Sequence, residues 1–269
     1  MLMFPNFNPI AFSLGPLDVH WYGLMYLFGF CMAWFLATWR ARHYQLTWSS
    51  EQIGDLIFFA ALGVVIGGRL GYLIFYKTST LFHHPLFIFK LWEGGMSFHG
   101  GLIGVLLSLY VFSRKIHKPF FEILDFTAPL VPLGLAAGRF GNFINGELWG
   151  RKTDLPWGMI FPTVDFHPRH PSQLYELGLE GLLLFVIIWV YARVKRPVGR
   201  VSALFLMSYA ILRIIAECFR EPDAHRGYLA FGWLTEGQLL SLPLLLFGFY
   251  LWWSKRDENI STTHQTHSH

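Results

Sequence analysis

The run Gly138–Gly150, G-R-F-G-N-F-I-N-G-E-L-W-G, concentrates residue types that bind anions. Its four glycines permit tight turns and close approach of the backbone to a ligand. Arg139 carries a forked donor suited to phosphate, and the amides of Asn142 and Asn145 add neutral donors. Glu147 can pair with the arginine or orient it. Helix packing by glycine and a snorkelling arginine are the alternative, but they leave the asparagines and the glutamate unexplained.

A second set of polar residues follows one face of a later apolar segment. Tyr209 is followed at offsets of 4, 8 and 11 by Arg213, Glu217 and Arg220, which places all of them on one side of a helix. An arginine within a membrane costs several kcal/mol, so it normally faces a cavity or a partner. Arg213 and Glu217 could form a structural ion pair. Arg220 would then leave two cations against one carboxylate, and this surplus suits a phosphate near the interface.

The segment Gly94–Gly101, G-G-M-S-F-H-G-G, contains a candidate general base. Histidine ordinarily titrates near neutral pH, so His99 could accept a proton, although a purely structural histidine is the alternative. Arg69 lies among glycines in another apolar segment. These glycines favour helix packing, and the sequence reveals no partner for Arg69.

Several established chemistries lack their motifs here. The sequence contains no G-x-x-x-x-G-K-[ST] phosphate loop, no H-E-x-x-H zinc motif and no G-x-S-x-G nucleophile elbow. His167 and His170 have no third ligand nearby, so we predict no metal site. Cys31 and Cys218 lie in apolar stretches, which predicts buried packing residues and no disulfide.

The elements that must position these residues are membrane helices. Of the 269 residues, 54% are hydrophobic and only 14% are charged, which indicates a protein dissolved in a bilayer. A membrane span needs about 20 mostly apolar residues. The windows that qualify are 20–39, 54–76, 97–113, 121–139, 173–192, 201–219 and 234–253. The sequence therefore predicts an all-α polytopic membrane protein with seven transmembrane helices.

The distribution of basic residues predicts the orientation. Outside the windows, eleven Lys and Arg follow the odd-numbered spans and seven lie on the opposite side. Because cytoplasmic loops are enriched in Lys and Arg, the N-terminus is expected outside and the C-terminus in the cytoplasm. Two polar segments, 77–96 and 142–171, then face outward, and the second is expected to form a small periplasmic cap. We predict one integral-membrane catalytic domain over residues 1–253, a disordered cytoplasmic tail over 254–269, and no nucleic-acid partner.

Further motifs complete a family pattern. H-W-Y-G-L-M-Y at His20–Tyr26, R-H-P-S-Q-L-Y-E at Arg169–Glu176, and Y-A-I-L-R-I-I-A-E-C-F-R-E-P-D at Tyr209–Asp223 join the runs described above. Together they resemble the bacterial prolipoprotein diacylglyceryl transferases, and the resemblance covers essentially the whole chain. It implies seven helices in the cytoplasmic (inner) membrane, an N-terminus in the periplasm, and an active site toward the periplasmic side.

The resemblance also implies a reaction. These enzymes move the diacylglyceryl group of phosphatidylglycerol to the thiol of the signal-peptide cysteine of a prolipoprotein, the first step of lipoprotein maturation. A thioether forms and glycerol phosphate departs. The implied partners are phosphatidylglycerol, the signal peptide with its acceptor cysteine, and the bilayer. No cofactor or metal is expected, since the reactive sulfur belongs to the substrate.

The resemblance marks Arg139 and Arg213 as the most critical arginines and His99 as the candidate base. Glu147 and Glu217 remain rivals of His99 for the thiol proton. The resemblance also links further positions to activity or lipid contact, namely Tyr22, Asn142, Glu147, Gly150, Tyr209 and Glu217. To these positions we add Asn145 and Arg220, on the chemistry of their side chains alone.

Two other classes of membrane protein can be weighed against an enzyme. A transporter or flippase would use the arginines as a path and is expected to show two repeated halves, but the sequence shows no such repeat. A purely structural membrane protein leaves the polar segments and three intramembrane arginines unexplained, namely Arg69, Arg139 and Arg213. The sequence therefore favours the enzyme.

Overall fold

Helices make up most of the chain in this computed structural model, which describes residues 2–15, 17–90, 94–222 and 227–254. They are α1 Trp21–His43, α2 Ser50–Tyr76, α3 Thr78–His83, α4 Phe98–Lys115, α5 Phe120–Thr127, α6 Val131–Ile144, α7 Ser172–Glu176, α8 Leu184–Tyr191, α9 Arg200–Glu217 and α10 Glu236–Ser254. A 3₁₀ turn, Pro85–Phe89, follows α3, another, Ala128–Leu130, joins α5 to α6, and a π-helical segment, Leu177–Leu183, joins α7 to α8. The predicted disordered tail after Ser254 lies outside the described residues.

Each of the seven predicted windows coincides with a helix or with a pair of joined helices. Five of these are long and apolar enough to cross a membrane: α1, α2, Phe120–Ile144, Ser172–Tyr191 and α10. The protein is therefore a multi-pass membrane protein. That α4 and α9 also cross the bilayer stays a prediction.

Local sequence signals explain several helix boundaries. At the start of α2, the Ser49 hydroxyl accepts the Gln52 amide at 3.1 Å and the Gln52 side chain accepts the Ser49 amide at 3.1 Å, which is a reciprocal capping box. Pro129 and Pro132 lie at the 3₁₀ turn between α5 and α6. Because proline has no backbone N–H to donate, a regular helix cannot continue through that turn.

The prediction of an all-α protein is wrong in one respect, because the described residues include five short strands. They are β1 Leu2–Met3, β2 Ile10–Leu14, β3 Leu17–His20, β4 Met159–Ile160 and β5 Pro168–Arg169. β1 pairs in parallel with β4, which pairs in antiparallel with β5, and β2 and β3 form a hairpin. β4 and β5 both belong to the segment that the sequence predicts as a cap. Strands of two residues are too short for alternating hydrophobicity to reveal them.

The chain divides into two compact units. The first unit comprises Met1–Ala33 and Asp125–His269, and the second comprises Trp34–Leu124. In the second unit, glycines bring α2 against α4: a β-carbon on Gly67 would lie 2.4 Å from the carbonyl oxygen of Gly100. The prediction that the α2 glycines serve helix packing is thereby confirmed. A single catalytic domain stays a prediction.

In the first unit, α8 and α9 share an apolar core that includes Leu184, Ile188 and Leu212. Gly181 permits a close helix contact, since a β-carbon there would lie 2.5 Å from the β-carbon of Ala136. The prediction that both cysteines are buried is wrong, because Cys31 and Cys218 are free and exposed. Cys31 lies on an exposed part of α1 and Cys218 directly follows α9, so an apolar stretch of sequence did not imply burial of the thiol.

Candidate active site

Two arginines from separate helices meet on two buried carboxylates in the first unit. In α6, Arg139 lies with Nε 2.7 Å from Glu176 Oε2 and with Nη2 3.3 Å from Glu180 Oε2. In α9, Arg213 lies with Nη1 3.3 Å from Glu176 Oε2 and 3.0 Å from Glu180 Oε1. Both glutamates have an exposed fraction of 0%. The two arginines that the sequence singled out therefore contact the same pair of acids.

Glu176 and Glu180 carry no role among the residues that the sequence predicts for the site. Glu176 ends α7, and Glu180 lies in the π-helical segment that follows. π-Helical turns are rare and occur frequently at functional sites. Two acids four residues apart within an apolar window are as costly to bury as an intramembrane arginine. That cost is the signal that could have identified them.

Among the described residues, the resulting cluster contains three guanidinium groups and three carboxylates. Its ionisable members are Arg139, Arg213, Arg220, Glu176, Glu180 and Glu217. The expected surplus of positive charge is therefore wrong, because it counted only the acid on the α9 face. A free donor remains nevertheless: Arg139 Nη1 contacts no acceptor within the part of the chain that the structure describes, and the Arg139 side chain is 19% exposed. The cluster thus offers an anion a positioned donor.

Glu217 joins the two α9 arginines. Its Oε1 accepts a hydrogen bond from Arg213 Nη2 and lies 3.5 Å from Arg220 Nη1. The predicted Arg213–Glu217 ion pair is therefore present. Arg151, from the polar segment after α6, donates from Nε to the carbonyl of Arg220 at 3.0 Å and from Nη2 to the carbonyl of Glu217 at 3.3 Å. These bonds attach that segment to the end of α9.

The Gly138–Gly150 run forms a polar array at the end of α6. The Glu147 carboxylate accepts from Asn142 Nδ2 at 2.8 Å and from Asn145 Nδ2 at 3.3 Å. Of the two roles considered for Glu147, direct pairing with Arg139 is not seen: Glu147 Oε1 accepts the two amides, and Arg139 contacts Glu176 and Glu180. Asn142 is buried, whereas Asn145 and Glu147 are exposed.

Gly150 is where the chain after α6 approaches the end of α9. A β-carbon there would lie 2.5 Å from the carbonyl oxygen of His170 and 2.6 Å from that of Phe219. The Gly150 amide donates to the same His170 carbonyl at 2.9 Å. The space around Gly150 is thus filled by protein backbone, and its predicted contact with lipid stays a prediction.

Two tyrosines border the cluster. The Tyr22 ring packs on Gly141, whose β-carbon would lie 2.9 Å from it, and the Tyr22 hydroxyl lies 3.4 Å from that of Tyr26. The charges of Arg139 and Glu147 act on the Tyr22 hydroxyl. Tyr209 is partly buried, and the charges of the arginine–glutamate cluster act on its hydroxyl. Both residues therefore lie in the region that the sequence assigned to the lipid.

His99 belongs to the second unit, in the first turn of α4. Its side chain is exposed, and the Ser97 hydroxyl caps this helix by accepting the Gly100 amide at 3.2 Å. Within the described ranges, the imidazole makes no hydrogen bond; its ring packs edge-on against Phe98. A role as general base stays a prediction.

Arg69, whose partner the sequence did not reveal, is held by backbone carbonyls. It is 1% exposed and donates to Ile88 at 3.3 Å, Phe87 at 3.0 Å and Lys90 at 2.7 Å. It also donates to the carbonyls of Gly94 and Gly95. Arg69 thus holds several residues of the segment that precedes His99, by contacts with backbone carbonyls that any residue type could supply.

The polar segment after α6 contains its own ionisable groups. The hydrogen bond from Arg169 holds the pKa of Asp165 at about 2. Burial and the positive charge of Arg151 lower the pKa of His170, whose Nδ1 lies 3.1 Å from the Tyr175 hydroxyl. Among the described residues, no group of three or more His, Cys, Asp or Glu could hold a metal ion.

Comparisons with known proteins agree with one another. A family model described as prolipoprotein diacylglyceryl transferase matches residues 9–254. A protein of Legionella pneumophila (strain Lens) named phosphatidylglycerol--prolipoprotein diacylglyceryl transferase is 66% identical over 95% of this chain and 100% of its own. One of the same name from Coxiella burnetii (strain RSA 331 / Henzerling II) is 59% identical over 95% of this chain and 98% of its own. The family match includes the whole arginine–glutamate cluster.

Proposed function

The chain belongs to the prolipoprotein diacylglyceryl transferase family, and from this premise we propose that Arg139 and Arg213 hold the phosphate of its lipid substrate. The protein transfers the diacylglyceryl group of phosphatidylglycerol to a prolipoprotein, the first step of lipoprotein maturation. The observation that supports the proposal is the meeting of two arginines from separate helices on one pair of buried carboxylates.

The proposed chemistry explains why guanidinium groups are needed. The thiolate of the signal-peptide cysteine attacks the glycerol carbon that bears the phosphate, so that a C–S bond forms while the C–O bond breaks. Glycerol phosphate leaves with the electron pair. The phosphate carries one negative charge as a diester and about −1.5 to −2 as a monoester at neutral pH. Positioned donors in a water-poor site stabilise this growing charge more than they stabilise the ground state.

The arrangement of the acids favours His99 as the group that accepts the thiol proton. Glu217 has both oxygens occupied by donors, one from Arg213 and one from the Thr235 hydroxyl at 2.8 Å. Glu147 accepts two side-chain amides. His99 has no acceptor or donor on its ring among the described residues. A free imidazole at the start of α4 is the better candidate base.

The headgroup would lie among the remaining polar residues of the first unit. The proposed lipid contacts are Tyr22, Asn142, Asn145, Glu147, Gly150, Tyr209, Glu217 and Arg220. All seven helical windows cross the inner membrane in this proposal, with the N-terminus and the site on the periplasmic side, as the excess of basic residues after odd spans indicates. The lipid and the signal peptide then both reach the site from the bilayer.

An assay with purified components tests the proposal. The protein in detergent is mixed with phosphatidylglycerol and a synthetic signal peptide that contains the acceptor cysteine. We expect a peptide with the mass of a diacylglyceryl thioether and one glycerol phosphate released for each thioether. A matched peptide with serine in place of cysteine should give neither. Absence of the thioether, under conditions where the Legionella relative forms it, would exclude the proposed function.

Replacement of His99 by glutamine should lower kcat/KM about 100-fold or more, because general-base catalysis contributes roughly 10²–10⁴ to rates. His84→Gln, at an exposed histidine of the predicted outward segment, is the control and should behave as wild type. A small loss in His99→Gln would assign the proton to another group.

A further inference from the structure

We propose that Thr235 is a positioning residue for the transfer: its hydroxyl fixes Glu217 and, through Glu217, the guanidinium of Arg213. This inference rests on the proposed role of Arg213. Thr235 immediately precedes α10, is 2% exposed, and lies in none of the motifs that the sequence analysis singled out.

The link between the two residues is direct. Thr235 Oγ1 donates to Glu217 Oε2 at 2.8 Å, while the other carboxylate oxygen accepts from Arg213 Nη2. Glu217 is only 3% exposed, so water does not compete freely for either oxygen. One carboxylate therefore connects the start of α10 to the arginine in α9.

The backbone amide of Gln238 sets the direction in which the Thr235 hydroxyl donates its proton. The Gln238 amide donates to Thr235 Oγ1 at 3.3 Å, and the Gln238 side-chain oxygen accepts the Thr235 amide at 3.1 Å. This is the reciprocal capping arrangement of a helix N-terminus. Because the Gln238 amide occupies a lone pair of Oγ1, the single hydroxyl proton is left for Glu217.

The first turn of α10 also confines Glu217 sterically. A β-carbon on Gly237 would lie 2.5 Å from Glu217 Oε1 and 2.6 Å from its Cδ. The N-terminal end of a helix carries a partial positive charge, which favours the ionised carboxylate. The Glu217 carboxylate is thus held by the Thr235 hydroxyl at Oε2 and confined by Gly237, while its Oε1 faces Arg213 and Arg220.

Loss of the hydroxyl would let the Glu217 carboxylate turn, and Arg213 would lose the fixed position of one of its three carboxylate partners. The phosphate would still find the arginines in the ground state, so binding should change little. A misplaced Arg213 guanidinium lowers the rate most in the transition state, when the leaving phosphate acquires its second negative charge. A positioning role therefore predicts a lower kcat with little change in KM.

The test compares four variants in the thioether assay. We expect Thr235→Val to lower kcat about tenfold or more with KM for phosphatidylglycerol within about twofold of wild type. Thr235→Ser should restore most of the rate, because serine keeps the hydroxyl. Gln238→Met removes the side-chain contacts with the Thr235 amide and Cys218 Sγ but keeps the backbone amide that bonds Thr235 Oγ1, so it should stay near wild type. Thr163→Val, at an exposed threonine, is the matched control.

Two further measurements keep the proposal decidable. Should Thr235→Val fail to accumulate in membranes, Thr235→Gly replaces it, because glycine is tolerated at helix N-caps. In a Glu217→Gln background, Thr235→Val should cause little additional loss, since both act on the same contact. An unchanged kcat in Thr235→Val, an equal loss in Gln238→Met, or additive losses in the double variant would overturn the inference. Full activity of Arg213→Ala would instead contradict the proposed function on which it rests.

Discussion

Arg213→Ala should lower kcat/KM by at least about 100-fold, because loss of one positioned donor to a developing oxyanion costs roughly 10²–10³ in rate. The guanidinium of Arg213 contacts three carboxylates, those of Glu176, Glu180 and Glu217. Arg139→Ala should show a similar loss, since Arg139 contacts two of the same carboxylates. The measurement is the initial rate of thioether formation at several concentrations of phosphatidylglycerol.

The comparison requires a check on folding. Removal of one partner from a buried ion pair typically destabilises a protein by about 3–5 kcal/mol, so insertion and thermal unfolding in detergent must be measured for each variant. Arg193→Ala, at an exposed arginine after α8, is the control and should keep full activity. Arg213→Lys should recover only part of the rate, because an ammonium cannot reproduce the planar fork. Near-full rates in both alanine variants would show that the phosphate binds elsewhere.

The helices and the meeting of Arg139 and Arg213 with buried partners could be predicted from the sequence because their signals are strong. An apolar window interrupted by a single arginine requires the side chain to face a partner, and Arg139 and Arg213 both do so. The partner itself was harder to predict. For Arg69 it consists of five backbone carbonyls, which every residue possesses and no sequence pattern can distinguish.

The parts that the sequence did not predict depend on contacts between distant residues. β1 pairs with β4, Leu2 opposite Met159, and neither strand exceeds two residues. Glu176 and Glu180 were not predicted as site residues. The π-helical segment departs from the α-helical periodicity by which a sequence places residues on one face of a helix. The charge of the site was consequently misjudged, since a count restricted to the α9 face omits acids supplied by α7 and the π-helical segment.

Glu180→Gln should lower kcat about tenfold or more while KM for phosphatidylglycerol changes by less than about threefold. Each oxygen of Glu180 contacts a different arginine, Oε1 with Arg213 at 3.0 Å and Oε2 with Arg139 at 3.3 Å. The carboxylate therefore sets the spacing between the two guanidinium groups. A glutamine can accept from only one of them, and its NH₂ group would face donors of the other.

Glu176→Gln provides the informative comparison and should lose less. Glu176 lies within ion-pair distance of both arginines through Oε2 alone, and neither of its carboxylate oxygens accepts a hydrogen bond among the described residues. Both substitutions remove one negative charge, but only Glu180→Gln replaces an acceptor by a donor at an arginine. Glu51→Gln, at an exposed acid in α2, controls for the assay. Equal losses at Glu176 and Glu180, or an effect confined to KM, would mean that these acids contribute charge alone. The spacing of Arg139 and Arg213 would then be set by their own helices.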